Sequence, residues 1–224
     1  MTEKGERNAC VSILSDPSEV VDLSATPAPS RAEPSLRDRL RTDTRDAHEA
    51  LDASFSDMFA DASGAQYRRF IAMNREAHEA IEPVLAGSPL GRPGAGGDHA
   101  DRLDAAQRDA QALGIEPRPA SPFPLPRPDI FEAFGIAYVL EGSRLGAKYM
   151  LRAINRDERL SGARWPTHYL EASSDARPFT RLLDRMAAEP ASEDDMRRAT
   201  AAADATFRYF RMLCGDDDER TTRA

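Results

Sequence analysis

The sequence predicts an all-α protein built as a helical bundle. Three observations carry that expectation. Alanine is abundant and β-branched residues are sparse, a balance that favours helix over sheet. Apolar residues recur at spacings of three, four and seven in several stretches, the period of one helical face. No stretch sustains the period-two alternation of a half-buried strand.

Taken along the chain, residues 1–34 are rich in Ser, Pro, Ala, Asp and Glu and read as a disordered N-terminal tail. Its short apolar patch at Val20, Val21 and Leu23 is either a docking segment or a stray cluster. Ser35 is the expected cap of a helical stretch whose face carries Leu36, Leu40, Ala47, Leu51 and Phe55. A second helix is expected from Gly64 to Leu85, with Tyr67, Phe70, Ile71, Ile81 and Leu85 on its apolar side. Five glycines and two prolines between Gly87 and Gly97 require a loop. A more polar third helix, Ala100 to Leu113, stops at Gly114. Six prolines between Glu116 and Pro128 exclude regular helix and central strand, because each removes a donor and restrains its predecessor. The most apolar helix follows, Asp129 to Asn155, and then Arg177–Ala188 and Ser192–Leu213. The folded domain is thus expected over 35–215, with 216–224 as a disordered C-terminal tail.

Charge and composition exclude several functions. The net charge of −8 lacks the basic footprint of a nucleic-acid binder. No apolar run approaches the roughly 20 residues that span a bilayer, and Val11–Leu14 is too short for the core of a signal peptide. A cytoplasmic protein is the expectation. The two cysteines, Cys10 and Cys214, read as free thiols rather than a disulfide framework.

Two segments carry candidate chemistry. In the first, Thr44 and His48 lie four apart and share a face, with Ala47 and Leu51 flanking the imidazole. Such a histidine can be a satisfied core residue, a surface residue at the edge of the stripe, or a metal ligand. Arg41, two turns earlier on the same side, can pair with a carboxylate of whatever His48 holds, or be a solvated arginine. In the second segment, Gly135, Gly142 and Gly146 fall on one side of a helix. Each costs about 1 kcal/mol relative to alanine. Three on one face signal the approach of a flat group or close packing of another helix.

These segments resemble a known family. Leu40, Thr44 and His48 are similar to the first helix of heme oxygenases, and Tyr138-Val-Leu-Glu-Gly142-Ser143-Arg-Leu-Gly146 looks like the distal helix of the bacterial, biliverdin-producing branch. Tyr67 and Phe70, with Glu82-Pro83 downstream, resemble the same branch, so the likeness spans about 35–212. The resemblance implies a heme oxygenase-like helical bundle. It implies heme b as both substrate and cofactor, cleaved to biliverdin, carbon monoxide and ferrous iron. By position, His48 would be the proximal iron ligand and Arg41 a propionate partner. Tyr138, Gly142 and Gly146 would line the heme, with Gly142, Ser143 and Gly146 on the distal, catalytic side. Ser143 stands where animal enzymes carry an aspartate, and Ala147 replaces the second glycine of a typical pair. Electrons would come from an external reductase or ferredoxin, since no dinucleotide-binding glycine motif is present; Gly94, Gly96 and Gly97 lie in a loop. A biliverdin-using phytochrome is a further implied partner.

Rival readings remain open at this level. Ala47-His48-Glu49-Ala50 is repeated as Ala77-His78-Glu79-Ala80, so local residues alone do not separate His48 from His78. A di-iron oxidase on a bundle needs Glu-x-x-His pairs, and the sequence has none. His99 and His168 read as surface residues, His168 in a connection after Trp165-Pro166. Arg177 and Arg181 are propionate candidates or ordinary surface arginines. The alternative to an enzyme is a heme oxygenase-fold protein without turnover, binding heme as a signal or binding none and acting through a partner.

Overall fold

The computed structural model describes residues 34–55, 58–59, 63–91, 100–156 and 165–221. The readings made on residues 1–33, on Gly94, Gly96 and Gly97, and on His99 lie outside these. Among the described residues the regular structure is helical throughout, with no strand. In chain order it comprises α1 (Leu36–Asp43), α2 (Arg45–Ala53), α3 (Ala65–Gly87), a 3-10 turn (Pro89–Gly91), α4 (Ala100–Ala112), α5 (Ile130–Arg156), α6 (His168–Ser173), α7 (Arg177–Ala188) and α8 (Glu193–Thr221). No helix among them is long and apolar enough to cross a membrane.

Local chemistry sets the element ends. Ser35 caps α1, its hydroxyl oxygen accepting from the Asp38 N–H at 3.2 Å. α4 ends in a Schellman motif: Gly114 has φ +63°, its N–H donates to the Gln111 carbonyl, and the Ile115 N–H reaches back to Ala110. Asp129 opens α5 with a capping box: its carboxylate accepts from the Phe131 and Glu132 N–H groups, and the Glu132 carboxylate accepts from the Asp129 N–H.

Three elements depart from the sequence expectation. The first helical stretch is broken at Thr44, whose φ −100° and ψ 5° separate α1 from α2. There the Thr44 hydroxyl donates to the Leu40 carbonyl at 2.7 Å, competing with the helical ladder. His168 is the first residue of a short helix, α6, rather than part of a plain connection. A buried aspartate of α4 starts this helix: Asp109 accepts from the His168 and Tyr169 N–H groups and from His168 Nδ1. α8 runs to Thr221, past the Leu213 at which the sequence ends its last helix.

α5 and α8 form the principal packed pair. α3 and α1 lie on α8 as well, α4 joins α3 to α6, and α7 packs on α5 and α1. The core is continuous from Leu36 and Leu40 through Tyr67, Ile71, Phe134 and Leu140 to Ala199, Ala203 and Phe207. α2 also leans on α8, so the segment bearing His48 and Gly135 of α5 rest on the same helix.

Candidate functional site

α2 buries none of its side chains fully, and the His48 side chain is 59% exposed. Its Nδ1 lies 3.2 Å from the Asp52 carboxylate one turn on, and its ring meets the edge of Phe207 on α8. A carboxylate at Nδ1 favours the tautomer with the proton on that nitrogen, which leaves the Nε2 lone pair for a ligand. Arg41 is exposed at the end of α1. Its charge and that of Arg37 act on the Tyr138 phenol: burial pushes this phenol up from its ordinary value, and the two guanidiniums partly offset that. The Tyr138 ring packs 5.7 Å from Phe179 of α7.

The three α5 glycines occupy different surroundings. A Cβ on Gly135 would collide with the Ala199 carbonyl, so this glycine serves the close crossing of α5 over α8. A Cβ on Gly142 would meet only the Phe179 ring, at 3.8 Å, and one on Gly146 would meet nothing within 4 Å. Ala147 is buried in the core, which turns its methyl away from the open flank of Gly146. Leu145 and Tyr149 beside that flank are 53% and 75% exposed.

Behind the glycine turn lies a polar network that the sequence reading missed. Arg102 of α4 is 1% exposed. Its Nη1 donates to the Leu140 carbonyl at 2.9 Å, its Nη2 to Ser143 Oγ at 2.7 Å and to the Tyr169 hydroxyl at 3.2 Å, and its Nε to Ser173 Oγ at 3.1 Å. The Tyr169 hydroxyl donates to Asn74 Oδ1. Its oxygen therefore accepts from Arg102 and from His78 Nε2, 3.2 Å away. His78 Nδ1 faces Glu82 at 2.7 Å, so both ring nitrogens are engaged inside the protein. That separates the two histidines of the repeat: His78 is a satisfied core residue, whereas His48 faces solvent. An unmet donor in such a core costs about 1–3 kcal/mol, which is why the network is so fully paired. The burial of Arg102, though not its partners, was legible. Arg102, Ala105, Ala106, Asp109 and Ala110 share one face of α4, where two charged residues interrupt a stripe of alanines.

Among the described residues, no group of three or more His, Cys, Asp or Glu side chains is placed to hold a metal ion. Arg177 bonds the neighbouring Asp175 on the surface.

No family model matches the chain. The chain is 31% identical over 198 residues to heme oxygenase PigA of Pseudomonas aeruginosa, a match covering 84% of this chain and 96% of that protein. The chain belongs to the bacterial heme oxygenase-like family. Its all-helical architecture agrees with the helical fold of heme oxygenases. The family implies heme, and the residues present fit such a group on two counts. An exposed imidazole has one nitrogen held by a carboxylate and the other left as donor. A glycine flank on α5 leaves room that a Cβ at Gly146 would take up, with exposed apolar side chains beside it.

Proposed function

We propose that this member of the heme oxygenase family binds heme as its substrate and cleaves it to biliverdin, carbon monoxide and ferrous iron. What supports the reading is an exposed imidazole, His48, held at Nδ1 by Asp52, together with the open flank of α5 at Gly146. Heme supplies the iron-centred oxygen chemistry and is itself the molecule opened.

The protein's part is binding, orientation and control of water. His48 offers Nε2 to the iron, and Asp52 fixes its tautomer. Arg41, at the end of α1, pairs with a propionate. Gly142 and Gly146 let a flat ring approach the α5 backbone, Tyr138 lines the same side, and Leu145 and Tyr149 shield its apolar edge. Ser143 takes part in the distal hydrogen-bond network. Electrons come from a separate reductase or ferredoxin, and a biliverdin-using phytochrome is a candidate acceptor of the product. We assign the activity to a domain over 35–215 and place the protein in the cytoplasm.

Titration of the purified chain with hemin tests the reading. The expected result is a Soret band saturating at one equivalent, which His48→Ala removes or shifts, and which bleaches in air with ascorbate as biliverdin absorbance rises. Absence of a stoichiometric band overturns the proposal. A bound heme that survives reduction in air overturns the turnover half and leaves a heme sensor.

A further inference from the structure

The buried polar network converges on one turn of α5, and we infer that Arg102 is a positioning residue that sets this turn and, through it, how Ser143 behaves toward the proposed heme pocket. The inference rests on the heme reading above for its consequence, though not for its geometry.

Ser143 has one proton and two lone pairs. The proton is committed: its Oγ donates to the Leu140 carbonyl at 2.8 Å. One lone pair is committed as well, accepting from Arg102 Nη2 at 2.7 Å. The second lone pair is what remains for the pocket, so Ser143 works there as an acceptor and not as a proton donor. An aspartate at this position would also accept, which gives the serine a physical equivalence to the carboxylate it replaces.

Arg102 fixes this arrangement from two directions. Its Nη1 holds the Leu140 carbonyl at 2.9 Å, the same oxygen that takes the Ser143 proton. Its Nη2 holds the serine oxygen itself. The guanidinium is in turn held by Ser173 and Tyr169 of α6, so its position is set by a second helix packed on α5. Planarity of the fork is what lets one side chain grip a backbone oxygen and a hydroxyl at once. Within the same turn, Arg144 bonds Glu141 and the Ala172 carbonyl, tying the turn to α6 again. Gly142 lies inside this clamp and Gly146 just beyond it. The two glycines weaken the helix locally, and the clamp restores its register where a ligand would lie.

Full-length wild type, Arg102→Gln, Arg102→Lys, Ser143→Ala and the double variant Arg102→Gln/Ser143→Ala form the test, with two readouts. The first is the pH midpoint of the ferric absorption spectrum in the hemin complex, which reports the distal hydrogen-bonding environment. Each single variant is expected to displace it, by up to about one unit for Ser143→Ala. The double variant is expected to move no further than Ser143→Ala alone, because residues acting through one another are not additive. Arg102→Lys retains charge without the fork and should fall between; it also serves if the glutamine variant does not fold. The second readout is amide exchange over residues 143–147 in the protein without hemin, expected to accelerate about tenfold in the Arg102 variants while 150–156 keep their rates.

A wild-type midpoint in Arg102→Gln or Arg102→Lys with one hemin bound, or strictly additive displacements, overturns the positioning role. If wild type binds no hemin, the functional reading has failed, and exchange alone decides: unchanged protection over 143–147 overturns the inference, and selective loss upholds the clamp.

Discussion

At Gly135 the α5 backbone lies so close to α8 that a Cβ would meet the Ala199 carbonyl carbon at 2.9 Å and the Ala203 nitrogen at 3.1 Å. Neither neighbour is a flexible side-chain tip, so Gly135→Ala must push two helices apart. The expected loss is about 1–3 kcal/mol in urea unfolding. Gly146→Ala meets open space and should leave the chain as stable or stabilise it by up to about 1 kcal/mol through helix propensity. On the heme reading, the same substitution should weaken hemin binding. A neutral Gly135→Ala would refute the close α5–α8 crossing, and a Gly146→Ala that binds hemin as wild type does would remove that glycine from the pocket. The sequence grouped these glycines by face and left two causes open. The tertiary contacts divide them, because what a missing Cβ makes room for depends on the neighbouring element.

α5 is held at its start by residues the sequence displays plainly. Asp129 caps two N–H groups and also bonds Arg198 of α8, so it joins the two central helices as well as opening one. Asp129→Ala should cost about 1–2 kcal/mol in denaturant unfolding with little change in helix content. A loss near zero would mean that packing on α8 alone fixes where α5 begins. Most helix limits were readable from such local chemistry: Ser35, Gly114, the six-proline segment and Asp129 all act through their immediate neighbours. The break at Thr44 and the short α6 were not. A threonine hydroxyl turned onto its own helix and a cap donated by Asp109 from another helix leave no periodicity to detect.

Across the whole molecule, buried phenols link stability to pH. Burial raises Tyr67 and Tyr138 above their ordinary value, and Tyr209 is pushed up to about 12, again chiefly by burial. The folded chain therefore holds these protons more tightly than the unfolded chain. Their contribution is complete below the unfolded value of 10.0 and is lost as pH rises through the folded one. Urea midpoints should fall steadily above about pH 10. Tyr209→Phe should flatten part of that fall while losing the hydrogen bond to the Ser121 carbonyl of the proline-rich segment. An alkaline slope identical to wild type would show that Tyr209 is accessible to solvent in the folded chain.

The sequence by itself determined the helical class, most element limits and the membership signalled by the His48 and Gly142–Gly146 segments, since helix periodicity, caps and spacing are properties of neighbours along the chain. Only the tertiary structure decided that His48 faces solvent while His78 is spent inside the core, and that Gly135 packs a helix while Gly146 leaves space. It alone brought Arg102 onto Ser143 across 41 residues. Such outcomes depend on which face meets which neighbour. A buried polar group must find its partner wherever the fold brings one, and nothing along the chain announces the pair.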